Sequence, residues 1–359
     1  MKTHRTDGSK EARLIFGRVR IGEGHRCAVI AEAACEHKGS LREAKRLALA
    51  AKKAGADIVK FQLHLPQVEM VPDSVHFWAG SMDEVLAQVN LPVAAHRKLI
   101  QYCRRIGIEY LCTAFCPAGI DVLDGLGVRA FKLGSGELTN LPMIRKVARI
   151  SAQRGAPVLV STGMSTLEEI AETVSVLREE RARFALLNCT SAYPPDYSTI
   201  NLNLIPRLRD LFGVPVGHSD HTPDAVTAYA AVAVGAKIVE KHFTLSRDRK
   251  GPDHMVSLEP DEFRAMVEGI RRVEAALGWE KQVHAREVPV RGWAHHSVVT
   301  SRGVRKGEAL TLENLIPKRP GSGIPAKYLD AQRYPKVVLG RRARRDLGKD
   351  TILRWSDLL

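Results

Sequence analysis

The sequence predicts an α/β protein, a (β/α)8 TIM barrel followed by a small C-terminal domain, and three observations carry that reading. Eight short, nearly continuous apolar runs lie at residues 27–34, 56–61, 108–113, 128–133, 157–161, 184–189, 214–217 and 237–242. Runs of this kind are expected of parallel strands buried on both faces, and amphipathic stretches at helical spacing separate them. The first strand–helix connection, Cys35-Glu36-His37-Lys38-Gly39, contains no GxGxxG. That counts against a doubly wound sheet, the alternative with the same order of elements. After residue 297 the texture changes to short strand-like pieces and glycine-rich turns, so a second domain begins there.

In chain order, Ser40 before Leu41-Arg42-Glu43 predicts a capping box on the first helix, which runs to Lys53. Further helices are predicted at 94–105, 141–152, 166–178 and 222–234, with Thr166 an N-cap candidate, and the last barrel helix at 261–277. Residues 63–92 form a long insertion rich in Pro, Asp, Ser and Met, the kind of loop that covers a barrel mouth. The expected domains are a barrel at 1–280, a linker at 281–297 and a small domain of about 60 residues at 298–359.

Composition narrows the function. Lys and Arg exceed Asp and Glu by 54 to 40, a formal charge of +14, and the segment 298–359 alone holds 14 against 6. No zinc-finger, RNP-type or helix-turn-helix signature accompanies this charge, so a basic mouth for a small anion is favoured over a nucleic-acid binder. No apolar run approaches the roughly 20 residues that span a membrane. The polar first ten residues lack the core of a signal peptide, so the expected location is cytoplasmic, with no membrane partner. Six cysteines at 27, 35, 103, 112, 116 and 189 form no CxxC pair and sit in apolar segments, as reduced buried thiols do.

Two histidines close neighbouring strand patterns. His221 follows Val216-Gly217-His218-Ser219-Asp220, and His242 ends Lys237-Ile238-Val239-Glu240-Lys241, with one alanine-rich helical stretch between them. A strand, a helix and a strand bring both ends to one edge of a parallel sheet. Two readings stand: a pair of ligands for one divalent cation, with Asp220 and Glu240 nearby to orient them, or two core histidines with satisfied hydrogen bonds. Lys60 and Lys132 lie near the ends of other strand patterns, within apolar sequence. A cation there is costly unless an anionic ligand or a structural ion pair supplies its partner.

The segments Ala31-Glu32, His37-Lys38-Gly39-Ser40, Lys60-Phe61-Gln62, Lys132-Leu133-Gly134-Ser135-Gly136-Glu137, Ser161-Thr162-Gly163-Met164, Asn188-Cys189-Thr190-Ser191-Ala192-Tyr193-Pro194, Ser219-Asp220-His221-Thr222 and Glu240-Lys241-His242-Phe243-Thr244 resemble, in family order, the sialic acid synthases. The tail, with Lys306-Gly307-Glu308 and Lys318-Arg319-Pro320-Gly321, is similar to the antifreeze-like (SAF) domain that ends those enzymes. The resemblance implies a phosphoenolpyruvate-dependent synthase that condenses phosphoenolpyruvate with an N-acetylated amino sugar and releases phosphate. N-acetylmannosamine is the first acceptor expected; a diacetamido trideoxy hexose, giving legionaminic or pseudaminic acid, is the second. It also implies a divalent metal, Mn²⁺ or Mg²⁺, and a domain-swapped homodimer in which the small domain of one subunit caps the barrel of the other.

By resemblance, His221 and His242 hold the metal. Lys60 and Lys132, with Thr113, Ser135, Ser161, Ser191 and Ser219, hold phosphoenolpyruvate. Glu32, Gln62, Tyr193 and Asp253 face the sugar, Glu137 assists attack by water, and Arg319 reaches the N-acetyl group in the neighbouring subunit. The chain departs from the family in two places. It has Glu36 before His37 where an asparagine is usual, an extra carboxylate expected at the barrel mouth, and Ser191 where the family commonly has an asparagine. Two other functions compete: a synthase of seven- or eight-carbon keto acids, which generally lacks this tail, and a non-catalytic anion- or carbohydrate-binding barrel.

Overall fold

The computed structural model describes residues 13–77, 80–248 and 253–359. The segment 1–12, and the Lys250-Gly251-Pro252 part of the loop expected to carry Asp253, lie outside the described residues. The chain divides into two compact units, Met1–Gly278 and Trp279–Leu359.

The first unit is a closed parallel barrel. Its strands are β1 (Ala28–Ala34), β2 (Ile58–Leu63), β3 (Glu109–Ala114), β4 (Phe131–Leu133), β5 (Val158–Ser161), β6 (Phe184–Cys189), β7 (Val216–Asp220) and β8 (Ile238–His242), and β8 pairs with β1 to close the ring. Each strand is followed by a covering helix: α1 (Leu41–Lys53), α2 (Val93–Ile106), α3 (Pro117–Gly125), α4 (Leu141–Arg154), α5 (Leu167–Glu179), α6 (Leu204–Phe212), α7 (Val226–Ala233) and α8 (Pro260–Ala276). The predicted barrel is therefore the fold. Helix starts follow local chemistry. Thr166 and Glu169 form a reciprocal capping box on α5. On α1 only half of the expected box is made. Ser40 Oγ accepts from Glu43 N–H at 3.4 Å, but Glu43 turns its carboxylate to Arg46, and Ser40 N–H donates to His37 O.

Alternation along each strand sorts the side chains into two cores. Val29, Ala31, Val59, Phe61, Val158, Val160 and Val239 point outward and pack against the helices. Ala28, Ile30, Ile58, Leu111, Ala130, Leu159, Ala185, Leu187 and Ile238 point inward and fill the lower half of the barrel. The N-terminal end is plugged by an antiparallel hairpin, Leu14–Phe16 with Val19–Ile21, whose Leu14, Phe16 and Ile21 join that inner core. At Gly217, also inward, a Cβ would stand 2.5 Å from Leu187 Cδ2 and 2.6 Å from Ile238 Cβ, so the packed interior admits only glycine there. The insertion after β2 carries a short helix, Pro66–Glu69, and a longer one, Met82–Val89.

The second unit is loop-rich. Ser297–Thr300 pairs antiparallel with Leu315–Lys318, and isolated bridges such as Val304 to Leu347 and Ala343 to Leu358 tie its turns together. Val298, Val304, Leu310, Leu315, Ile324 and Leu353 are among the residues that build its own core. The segment 281–297, read from sequence as a linker, carries the helix Glu287–Ala294 and falls within this unit; Gly321 N–H donates to Gly292 O. All six cysteines are free thiols. Among the described residues no helix is long and apolar enough to cross a membrane.

Two fully buried imidazoles give the first unit a pH-sensitive core. His37 and His96 each have one nitrogen engaged, by Gly39 N–H and by the Tyr110 hydroxyl, and the other unpartnered. Burial pushes both pKa values down to about 4, with the neighbouring His96 adding to the effect on His37. The unfolded chain, titrating near 6.5, then binds more protons than the fold between those values. Stability is therefore complete above pH 6.5 and declines as pH falls toward 4. The expected loss is on the order of 1–2 kcal/mol per ring by pH 5. Urea unfolding at pH 7 and pH 5 measures it, and His96→Gln, which keeps an acceptor for Tyr110, should show a shallower decline. Equal slopes in variant and wild type would contradict the assignment.

Candidate active site

The inner face of the barrel changes character one layer above the apolar core. At that level the inward residues are Glu32 on β1, Lys60 on β2, Thr113 on β3, Lys132 on β4, Ser161 on β5, Ser219 on β7 and Glu240 on β8, all buried. Backbone register sets them side by side: Glu32 is level with Lys60, Thr113 with Lys132, and Ser219 with Glu240. Lys60 Nζ lies 2.7 Å from Glu32 Oε2 and 2.7 Å from Glu240 Oε1. Ser219 Oγ donates to the same Glu240 oxygen at 3.0 Å. Burial alone would raise the Glu240 pKa, but Lys132, Lys60 and the bonds from Lys60 and Ser219 hold it down to about 2. Burial lowers Lys60 to about 8, with Glu240 opposing the shift, so Lys60 remains cationic at neutral pH. Glu240, read from sequence as an orienting group for the histidines, is instead an anchor for Lys60. Asp220 faces outward to Lys241 Nζ at 3.1 Å and to Thr222 and Thr227.

Lys132 is arranged differently. Its Nζ donates to Leu133 O at 2.8 Å and Ser161 Oγ at 2.7 Å. Among the described residues no carboxylate pairs with it. Beside it is a cradle of small groups. Ser135 Oγ accepts from Gly163 N–H at 3.1 Å, and a Cβ at Gly163 would come within 2.3 Å of Ser191 Oγ and 2.8 Å of Ser135 Oγ. Three strand-end loops converge there because residue 163 has no side chain. Thr113 Oγ1 and Glu137 Oε2 are buried without a hydrogen-bond partner. Burial raises the Glu137 pKa, with Lys132 opposing.

The two histidines meet as the strand ends require. Their ring centroids are 5.3 Å apart at 61°. His221 Nδ1–H donates to Thr190 O at 2.8 Å, which leaves the Nε2 lone pair facing the Tyr193 hydroxyl at 3.1 Å. Tyr193 stacks on the His221 ring at 4.1 Å. His242 Nδ1 is buried and unbonded, 3.8 Å from Asp253 Oδ2, and burial next to His221 and Lys60 pushes its pKa well below the ordinary value. Among the described residues no group of three or more His, Cys, Asp or Glu is arranged to hold a metal ion. Two imidazoles with an orphaned nitrogen fit a cation bound by two protein nitrogens with its other positions open to ligand and water.

Glu36 is buried. Its Oε2 accepts from Thr244 Oγ1 at 3.2 Å and lies 3.4 Å from His254 Nε2. Gln62 is half-buried at the end of β2, and a residue that sequence reasoning passed over, His64, contacts it at 3.1 Å. The signal for His64 was present in Gln62-Leu63-His64, where alternation puts both polar residues on one face. Arg319 lies in the second unit, exposed, with its guanidinium over the Trp293 ring at 5.5 Å.

Residues 47–282 match the NeuB family and residues 295–359 match the SAF domain. The chain belongs to the NeuB family. It is 36% identical over 338 residues to N,N'-diacetyllegionaminic acid synthase of Campylobacter jejuni, covering 91% of this chain and 98% of the relative. It is 33% identical over 307 residues to N-acetylneuraminate-9-phosphate synthase of Homo sapiens, covering 83% and 84%. The solved structure of N-acetylneuraminic acid (sialic acid) synthetase from Leptospira borgpetersenii matches with a TM-score of 0.70 at 28% identity, over 77% of this chain and 94% of that one. Family, barrel and SAF domain thus agree with the sequence reading.

Within this NeuB barrel, Lys60 is what keeps two buried carboxylates compatible. Lys60→Met should cost about 3–5 kcal/mol of unfolding free energy, since it leaves Glu32 without its ion-pair partner and Glu240 with only Ser219 and the more distant Lys132. Adding Glu240→Gln to that variant should recover part of the loss. Denaturant titration of the single and double variants checks this, and no recovery in the double variant would mean that the carboxylates are not the source of the cost.

Proposed function

We propose that this chain is a nonulosonic acid synthase that condenses phosphoenolpyruvate with an N-acetylated amino sugar, N-acetylmannosamine being the first acceptor. The observation that carries the reading is Lys132, 2% exposed, whose Nζ meets a hydroxyl and a carbonyl but, among the described residues, no carboxylate within ion-pair distance. A buried cation of this kind calls for an anionic ligand. Phosphoenolpyruvate has two anionic groups, and Lys60 and Lys132 offer two cations on β2 and β4. Ser161, Ser135, Ser191, Thr113 and Ser219 surround them with hydroxyls for the remaining oxygens.

In this mechanism Glu32 and Glu240 keep Lys60 charged and fixed, so its position needs little reorganisation when the ligand arrives. Carbon 3 of phosphoenolpyruvate bonds to the sugar aldehyde carbon; water adds at carbon 2, and phosphate leaves with its bridging oxygen. Glu137, whose burial suits it to hold a proton, takes the proton of that water. A divalent cation, Mn²⁺ or Mg²⁺, held by His221 and His242 supplies Lewis-acid polarisation of the aldehyde oxygen when bound. Glu32, Gln62, Tyr193 and Asp253 form the polar surface assigned to the sugar. The proposal extends to a cytoplasmic, domain-swapped homodimer in which Arg319 of one subunit serves the barrel of the other. A second acceptor class, a diacetamido trideoxy hexose, is supported by the likeness to N,N'-diacetyllegionaminic acid synthase, 36% identical over 338 residues.

Purified protein with Mn²⁺ and phosphoenolpyruvate should release phosphate only when the correct amino sugar is present, and a side-by-side panel of acceptors identifies it. No release with any amino sugar would leave the non-catalytic binding barrel as the better reading. Lys132→Ala should weaken phosphoenolpyruvate more than the sugar, losing a charge-assisted contact worth about 1.5–3 kcal/mol. His221→Ala and His242→Ala should lose both turnover and bound Mn²⁺, the latter read directly by metal analysis. Full metal content in both variants would overturn the histidine assignment.

A further inference from the structure

One side chain ties the long insertion after β2 to Gln62. His64 is 4% exposed. Its Nδ1 lies 2.7 Å from Glu69 Oε1, and its Nε2 lies 3.1 Å from Gln62 Oε1. Its ring stacks on Phe115 with centroids 4.2 Å apart and 12° between planes. Its backbone is gripped by the far end of the insertion: His64 N–H donates to Asn90 Oδ1 at 3.3 Å, and Asn90 Nδ2 donates to His64 O at 2.7 Å. Glu69 also accepts from Leu65 N–H at 2.8 Å. Ring and backbone are thus fixed by both ends of the same loop.

The donor assignments then follow. Glu69 Oε1 and Gln62 Oε1 are both acceptors, so in this arrangement His64 donates from both ring nitrogens, Nδ1–H to the Glu69 carboxylate and Nε2–H to the Gln62 oxygen. The Cys35 thiol donates to the same Gln62 oxygen that His64 approaches, at 3.5 Å. With that oxygen turned to His64 and Cys35, the amide nitrogen of Gln62 lies on the opposite side, and among the described residues it has no hydrogen-bond partner. An amide locked this way offers N–H donors; one freed from His64 can turn over about its last bond and offer its oxygen instead.

We propose that the Glu69–His64–Gln62 relay fixes which end of the Gln62 amide meets the substrate, making His64 a positioning residue for an acceptor oxygen of the amino sugar. The insertion is then the element that carries this control, since Glu69 and Asn90 both belong to it. The inference rests on the assignment of Gln62 to the sugar in the proposed function.

The test compares wild type, His64→Phe, Glu69→Gln, Gln62→Ala and the His64→Phe/Gln62→Ala double variant in full-length, Mn²⁺-loaded protein. His64→Phe keeps the stack on Phe115 and removes both hydrogen bonds. It should raise KM for the amino sugar about tenfold while KM for phosphoenolpyruvate changes less than about twofold. In the double variant the effect should vanish, with sugar KM no higher than in Gln62→Ala alone. Glu69→Gln should raise sugar KM by a smaller factor, and it carries the test if His64→Phe shows no cooperative melting transition. Equal effects on both substrates, or a His64→Phe effect that multiplies in full onto Gln62→Ala, would mean a merely structural role and overturn the relay alone. A wild type that turns over no amino sugar would overturn the proposed function and the relay together.

Discussion

Everything at the candidate site depends on the fact that, in a closed barrel, alternate residues of all eight strands point inward at matched heights. That constraint turns eight separate pieces of sequence into layers. The lowest layers are apolar and sealed by the Leu14–Phe16 and Val19–Ile21 hairpin. The next holds Glu32, Lys60, Lys132, Ser161, Ser219 and Glu240, and above it Gln62 continues β2, His242 continues β8 and His221 follows β7. A slip of one residue in any strand would turn its polar residue out among the helices and bring an apolar one into the mouth. Gly217 shows how little room the packing leaves, because Leu187 and Ile238 already fill the place of its Cβ.

Within the polar layer the charges are deliberately unequal in their surroundings. Lys60 is enclosed by Glu32 and Glu240, so its charge is matched inside the protein. Lys132 is met only by a carbonyl and a hydroxyl. Both are buried, yet among the described residues only Lys60 is in ion-pair contact with carboxylates; Glu240 and Glu137 act on Lys132 from farther away. The net effect is a positive focus beside the Ser135–Gly163–Ser191 cradle, in a region of low dielectric where an incoming anion interacts strongly. The excess positive charge of the chain as a whole acts at longer range and is screened by salt; the Lys132 focus is not.

The barrel and most of this layer were legible because their signals are local. Continuous apolar runs mark strands, and a charged residue such as Glu32 or Lys60 inside one is conspicuous. The paired histidines were legible for the same reason, both standing at ends of strand patterns joined by one helix. What sequence could not supply was the partner across the barrel. Lys60 and Glu240 are 180 positions apart, so the anchoring role of Glu240 emerges only when β8 closes onto β1 and β1 onto β2. The hairpin floor was written in the alternation of Leu14, Phe16, Val19 and Ile21, but two three-residue strands carry too few periods to stand out. The helix Glu287–Ala294 contains both Pro289 and Gly292, residues that usually mark a break, which is why that stretch reads as a linker.

Glu36 illustrates how burial changes the meaning of a substitution. As a letter in the sequence it adds a carboxylate beside the mouth, where it would act by charge on metal or sugar. In the fold it is 6% exposed, and its oxygen faces Thr244 and His254. Those residues belong to the segment that follows β8, and His254 is adjacent to Asp253, the group 3.8 Å from His242. Glu36 therefore couples the loop after β1 to the loop after β8. Because a buried carboxylate requires its hydrogen bonds, its geometry and that of the Asp253 segment constrain each other. A departure at this position therefore reaches the Asp253 segment through the contacts of Glu36 with Thr244 and His254.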